Sequence, residues 1–121
     1  MEIQDMTAIL MVEPTGLVST EPVVDELTRK MAAAWRNRRN ADRGYRGWHT
    51  CSCGAHSSNR DHWVMTADGR ELLTNSLCVH YLAYHRDDIS DEELSKVRSL
   101  SGVEQEPTTE EMCPPRAPHR R

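Results

Sequence analysis

The chain has 121 residues, a formal net charge of -4, 37% apolar residues, 5% aromatics and no Phe. That leaves room for one compact domain and excludes a large, self-sufficient core. The acidic start (Glu2, Asp5) and the short apolar run from Ala8 to Val12 fit neither a signal peptide nor a membrane span, so the expected location is cytoplasmic, with no membrane association.

Residues 1–19 read as an N-terminal arm in which Ile3 to Val12 forms at most an edge strand, ended by Pro14 and Gly16. The domain proper is expected over 20–100. Thr20 reads as an N-cap with Pro22 in the first turn, and Val23, Leu27, Met31 and Trp35 form one apolar stripe at a spacing of four residues. This amphipathic helix is expected to run to about Asn40.

Residues 44–74 hold most of the glycines. Ala67-Asp68-Gly69-Arg70 is a turn signal that predicts a hairpin joining 62–66 to 71–73. A second helix is expected from Thr74-Asn75-Ser76 to about Arg86, carrying Leu77, Tyr81, Leu82 and Tyr84. Ser90-Asp91-Glu92-Glu93 predicts a capping box at the start of a third, with Leu94, Val97 and Leu100 inward and Gly102 as the stop. Residues 101–121 read as a flexible tail. The expected fold class is therefore α+β: a small single domain with an amphipathic helix, a short zinc-stapled hairpin region and two further helices.

Three of four cysteines and five of six histidines fall between His49 and His85. Small domains with thin cores recruit a metal, disulfides or a partner subunit, and in a reducing compartment clustered thiols favour metal. Cys51 and Cys53, two apart in extended chain, project to one side, and Gly54 permits a tight turn after them. Cys78 at a helix start offers a third thiolate. Thiolates and imidazoles in a closed tetrahedron suit Zn2+. The fourth ligand is read as His80, with His56 and His49 as alternatives. His85 lies about two turns beyond Cys78, roughly 10 Å of rise, too far to share an ion with it on a straight helix. The other reading makes Cys78 a small buried hydrophobe and the Cys51–Cys53 pair ordinary thiols. Cys113 reads as an unrelated free thiol. No Cys-x-x-Cys stands at a helix N-terminus, which argues against redox catalysis.

Charge is unevenly spread. Arg29, Lys30, Arg36, Arg38, Arg39, Arg43 and Arg46 face a single acid between residues 29 and 48, whereas nine acids face two bases between Asp87 and Glu111. The basic run is a candidate surface for nucleic acid or an acidic protein partner, on which Tyr45, Trp48 and Trp63 could stack. Alternatively the two halves neutralise each other within the fold, and the rings are core. The thin core and long termini also fit an accessory subunit of a larger assembly.

One further pattern bears on catalysis. Asp61-His62, the turn at Gly69, Asn75 and His80 or His85 follow a cysteine pair in the order Asp-His…Asn…His. That order resembles the ββα-metal core of His-Asn-His endonucleases. The resemblance implies His62 as general base on a water, Asn75 as positioner, and Asp61 with His85 as ligands of a divalent metal at the scissile phosphate. Read without it, Asn75 is a helix cap and His62 a polar strand residue.

Overall fold

The computed structural model describes residues 8–10, 20–40, 51, 53 and 61–113. They form a small α+β domain. In chain order the elements are α1 (Glu26–Arg36), β1 (Arg39–Asn40), β2 (His62–Met65), β3 (Glu71–Thr74), α2 (Cys78–Tyr84), α3 (Asp91–Arg98) and α4 (Thr109–Met112), with a 3-10 turn at Arg86–Asp88 between α2 and α3.

The strands make one antiparallel sheet in the order β1-β2-β3. Its centre is the expected hairpin, in which His62 pairs with Thr74, Trp63 with Leu73, Val64 with Leu72 and Met65 with Glu71. Local chemistry closes it. Thr66 N–H donates to Arg70 O at 2.7 Å, Gly69 N–H to Thr66 O at 3.1 Å, and Arg70 N–H to the Thr66 hydroxyl at 2.9 Å. Gly69 takes φ +92, a region that side chains disfavour, although a Cβ there would meet nothing within 4 Å. Gly69→Ala should therefore cost about 1–2 kcal/mol from backbone strain alone. The expected result is a thermal midpoint several degrees lower, as checked by calorimetry.

The N-cap of helix α1 lies five residues after the predicted one. Asp25, not Thr20, is the N-cap, and its carboxylate accepts from Leu27 N at 3.1 Å and Thr28 N at 3.2 Å. Pro22 and Val23 precede the helix, and Val23 N–H donates to Ala83 O of α2 at 2.8 Å. Leu27, Met31 and Trp35 are buried as the stripe predicts, and Thr28 and Ala32 to Ala34 widen the buried face. Small alanines let α1 lie close to α2 and α3.

Ser90 caps α3 as expected, accepting from Glu93 N at 3.2 Å. The Glu93 carboxylate turns to other donors, Leu10 N at 2.7 Å and Lys96 Nζ at 2.8 Å. Lys96 also donates to Ala8 O, and Ile9 N–H to Leu73 O, so residues 8–10 are fastened between β3 and α3. The end of α3 is zipped to the hairpin through Ala67 N–H to Ser99 O and Ser101 N–H to Met65 O.

The expectation of a flexible tail is corrected over 101–113. Pro107 is buried, and Thr108 and Glu111 close a reciprocal capping box on α4, which packs against α2. Residues 114–121 lie outside the described residues. No helix among those described is long and apolar enough to cross a membrane.

Candidate metal centre

Four side chains converge between the segment ahead of β2 and helix α2. Cys51 Sγ lies 3.0 Å from His85 Nε2, and Cys53 Sγ lies 3.3 Å from His80 Nε2. All four donor atoms lie within 4.8 Å of one another. A tetrahedron with bonds of about 2.3 Å to sulfur and 2.0–2.1 Å to nitrogen has edges of roughly 3.3–3.8 Å. The cluster is thus close to the size of one coordination sphere. It is also closed: Cys51, His80 and His85 are each 2% exposed, and Cys53 is half-buried.

The histidines reach one point because α2 is short. It ends at Tyr84, and His85 is its C-cap, with φ -131 and ψ 34. The chain has left the helical path there, so two residues five apart bring their rings to a centroid distance of 5.0 Å. His80 is oriented from behind. Its Nδ1 lies 2.8 Å from Met112 O, and since a carbonyl only accepts, that nitrogen carries the proton and Nε2 keeps a lone pair facing the thiols. Burial lowers the pKa of His85, against a smaller opposing pull from Asp88, and keeps the imidazole neutral as a ligand must be.

Cys51, Cys53 and His80 of the expected ligand set come together here. Cys78 is not part of the cluster; His85 takes its place. Cys78 is wholly buried in the core, and that burial pushes its thiol up to about 12. It packs as a small hydrophobe rather than serving as a thiolate. The argument against His85 measured its distance from Cys78 along a straight helix, whereas the relevant partner is His80 and the helix ends before His85. The alternatives His56 and His49 lie outside the described residues. Cys113 is exposed and outside the cluster.

Hairpin β2–β3 followed by α2 does reproduce a ββα order, but its polar residues are otherwise engaged. His62 is buried, edge-on to Trp35 at 4.9 Å between ring centroids. Asn75 is also buried, and its side-chain oxygen accepts from Leu77 N at 2.8 Å, the turn that starts α2. Asp61 is buried and not among the clustered donors.

Of the basic residues singled out, Arg29 pairs with Glu106 at 3.2 Å, Arg36 forks onto Glu111 at 2.8 and 3.0 Å, and Arg39 forks onto Glu71 at 2.7 and 3.0 Å. Arg38 stacks over Trp35, 4.1 Å from the ring centroid. Lys30 is half-buried on α1, and Arg43 and Arg46 lie outside the described residues. Glu106 and Glu111 of the acidic run thus neutralise Arg29 and Arg36 from within, and Glu71 on β3 neutralises Arg39. Of the three rings proposed to stack, Trp63 is half-buried on β2, while Tyr45 and Trp48 lie outside the described residues.

What fold and site define together is a small α+β domain with a closed two-cysteine, two-histidine donor cluster. Compared with known families, curated proteins and solved structures, the chain shows no match to any of them.

Proposed function

We propose that this chain is a binding module built around one structural Zn2+ held by Cys51, Cys53, His80 and His85. The observation that carries the reading is the convergence of four soft and borderline donors within 4.8 Å in a buried pocket. A tetrahedral set of two sulfurs and two nitrogens selects zinc over hard cations such as Mg2+ or Ca2+. Four protein donors leave no open position for substrate, so the ion pins the chain ahead of β2 onto α2 rather than performing chemistry. A buried thiol–imidazole nucleophile is disfavoured by the same enclosure, since Cys51 has no route to a substrate.

The partner face proposed for nucleic acid or an acidic protein is narrower than the arginine count implies. Arg29, Arg36 and Arg39 are matched by the chain's own carboxylates, which among the described residues leaves Lys30 and Arg38 outside these three ion pairs, to be joined by Arg43 and Arg46.

The test is zinc per chain in protein purified without added metal. Wild type should carry one ion, Cys51→Ser and His85→Ala should lose it, and Cys78→Ala should keep it. A metal-free wild type, or loss in Cys78→Ala with retention in His85→Ala, would overturn this ligand set.

A further inference from the structure

We propose that residues 105–113 act as a clasp on the metal centre, with Arg36 and Met112 as positioning residues, so that metal loading and docking of this segment stabilise each other. The inference rests on the metal reading above and adds to it a part of the chain that ligates nothing.

Alone, the four residues of α4 are far too few to hold a helix in water. Its position is imposed from α1. The Arg36 guanidinium grips Glu111 through both carboxylate oxygens, donates to Gln105 Oε1 at 2.7 Å and reaches the carbonyl of Glu106. Glu111 is shared: the oxygen that meets Arg36 Nη2 also accepts from Thr108 N at 2.8 Å to complete the α4 cap. One side chain of α1 therefore sets both ends of the segment that carries Met112. Met112 in turn rests against the core, and its carbonyl accepts from His80 Nδ1.

The consequence follows from linkage. An outer hydrogen bond fixes the tautomer and direction of a ligating imidazole and raises its basicity; losing such a partner weakens metal binding by about 10–100-fold. Whatever undocks α4 removes that bond from His80. Conversely, an ion on Nε2 makes the Nδ1–H a stronger donor and tightens the hold on Met112. Reciprocity of the two effects is a thermodynamic necessity.

The experiment measures Zn2+ affinity by competition with a chromophoric chelator in wild type, Arg36→Met and Glu111→Gln. The control is Arg70→Gln, which breaks a more exposed ion pair, with Asp68 on the hairpin turn away from α4. Both clasp variants should bind the ion at least roughly ten-fold more weakly, with the control matching wild type. In parallel, Zn2+ should protect Glu110 and Glu111 from a glutamate-specific protease in wild type and not in Arg36→Met. Wild-type affinity in both clasp variants, or equal weakening in the control, would overturn the clasp while leaving the metal site standing. A wild type that takes up no zinc would overturn the metal reading itself and the clasp with it.

Discussion

With the proposed Zn2+ held by Cys51, Cys53, His80 and His85, chelation is expected to abolish the cooperative thermal transition. Among the described residues, the buried apolar set includes only two aromatic rings, Trp35 and Tyr81, and several of its members are alanines on α1. Structural zinc in small domains is worth about 10–16 kcal/mol in apparent terms, as large as the whole stability of a typical domain at about 5–15 kcal/mol. Without the ion, Cys51 and Cys53 lose their tie to α2, and two imidazoles remain buried without the ligand that offset their desolvation. The helices have apolar faces of their own, so the apo chain should keep much of its far-ultraviolet helical signal. The near-ultraviolet signal of Trp35 and Tyr81 should collapse, as in a compact state without fixed packing. Circular dichroism before and after chelation checks this, and re-addition of Zn2+ should restore both signals. A chelated protein with the same midpoint and the same near-ultraviolet spectrum would mean that the core stands without the metal.

How much of this was legible in the sequence depended on the range of the interaction responsible. The hairpin was legible because Asp68-Gly69 closes it from within five residues, and the Ser90 cap because Glu93 N–H lies three residues on. The start of α1 was not. Thr20 and Asp25 are both acceptable caps, and Asp25 is selected by Arg86, 61 residues away. The tail misled for the same reason: Pro107 and its polar neighbours read as unstructured, but Arg36 gathers them from 70 and more residues upstream. The cysteine pair was legible from its clustering. The clustering of His85 rather than Cys78 with the cysteine pair was not legible, because α2, expected to run straight to about Arg86, stops at Tyr84. Only knowledge of that stop lets His80 and His85 face one point and frees Cys78 for the core.

Neutralising Asp25 is expected to reduce the stability of the domain in a manner that depends on pH with a definite sign. Arg86 forks onto Asp25 at 2.7 and 2.8 Å, also donates to Thr28 Oγ1 at 3.0 Å, and is tied to α2 through Leu82 O at 3.1 Å. The start of α1 and the end of α2 are thus joined by one guanidinium. The hydrogen bonds from Arg86, then those from Thr28, hold the Asp25 carboxyl well below the usual carboxylate range, against the opposing effect of burial. A carboxylate whose folded pKa is depressed stabilises the fold above its unfolded value, near pH 4, and that contribution fades as pH falls through the folded value. With the Asp25 side chain 46% exposed, solvent screens the charge pair, and its share is discounted to about 1 kcal/mol or less. Two variants separate the parts. Asp25→Asn keeps a capping oxygen and loses the charge; Asp25→Ala loses the cap as well, for roughly 1 kcal/mol more. At neutral pH the midpoints should fall in the order wild type, Asn, Ala. The gap between wild type and Asp25→Asn should be constant above about pH 5 and close steadily as pH falls below about 4, because the unfolded chain then takes up a proton that folded Asp25, held ionised by Arg86, does not. Taking the difference between variants cancels acid effects shared by the other carboxylates and by the metal ligands. A gap that stays the same down to pH 2, or widens, would show that the Asp25–Arg86 pair contributes no charge-dependent stability and that Asp25 acts through its cap alone.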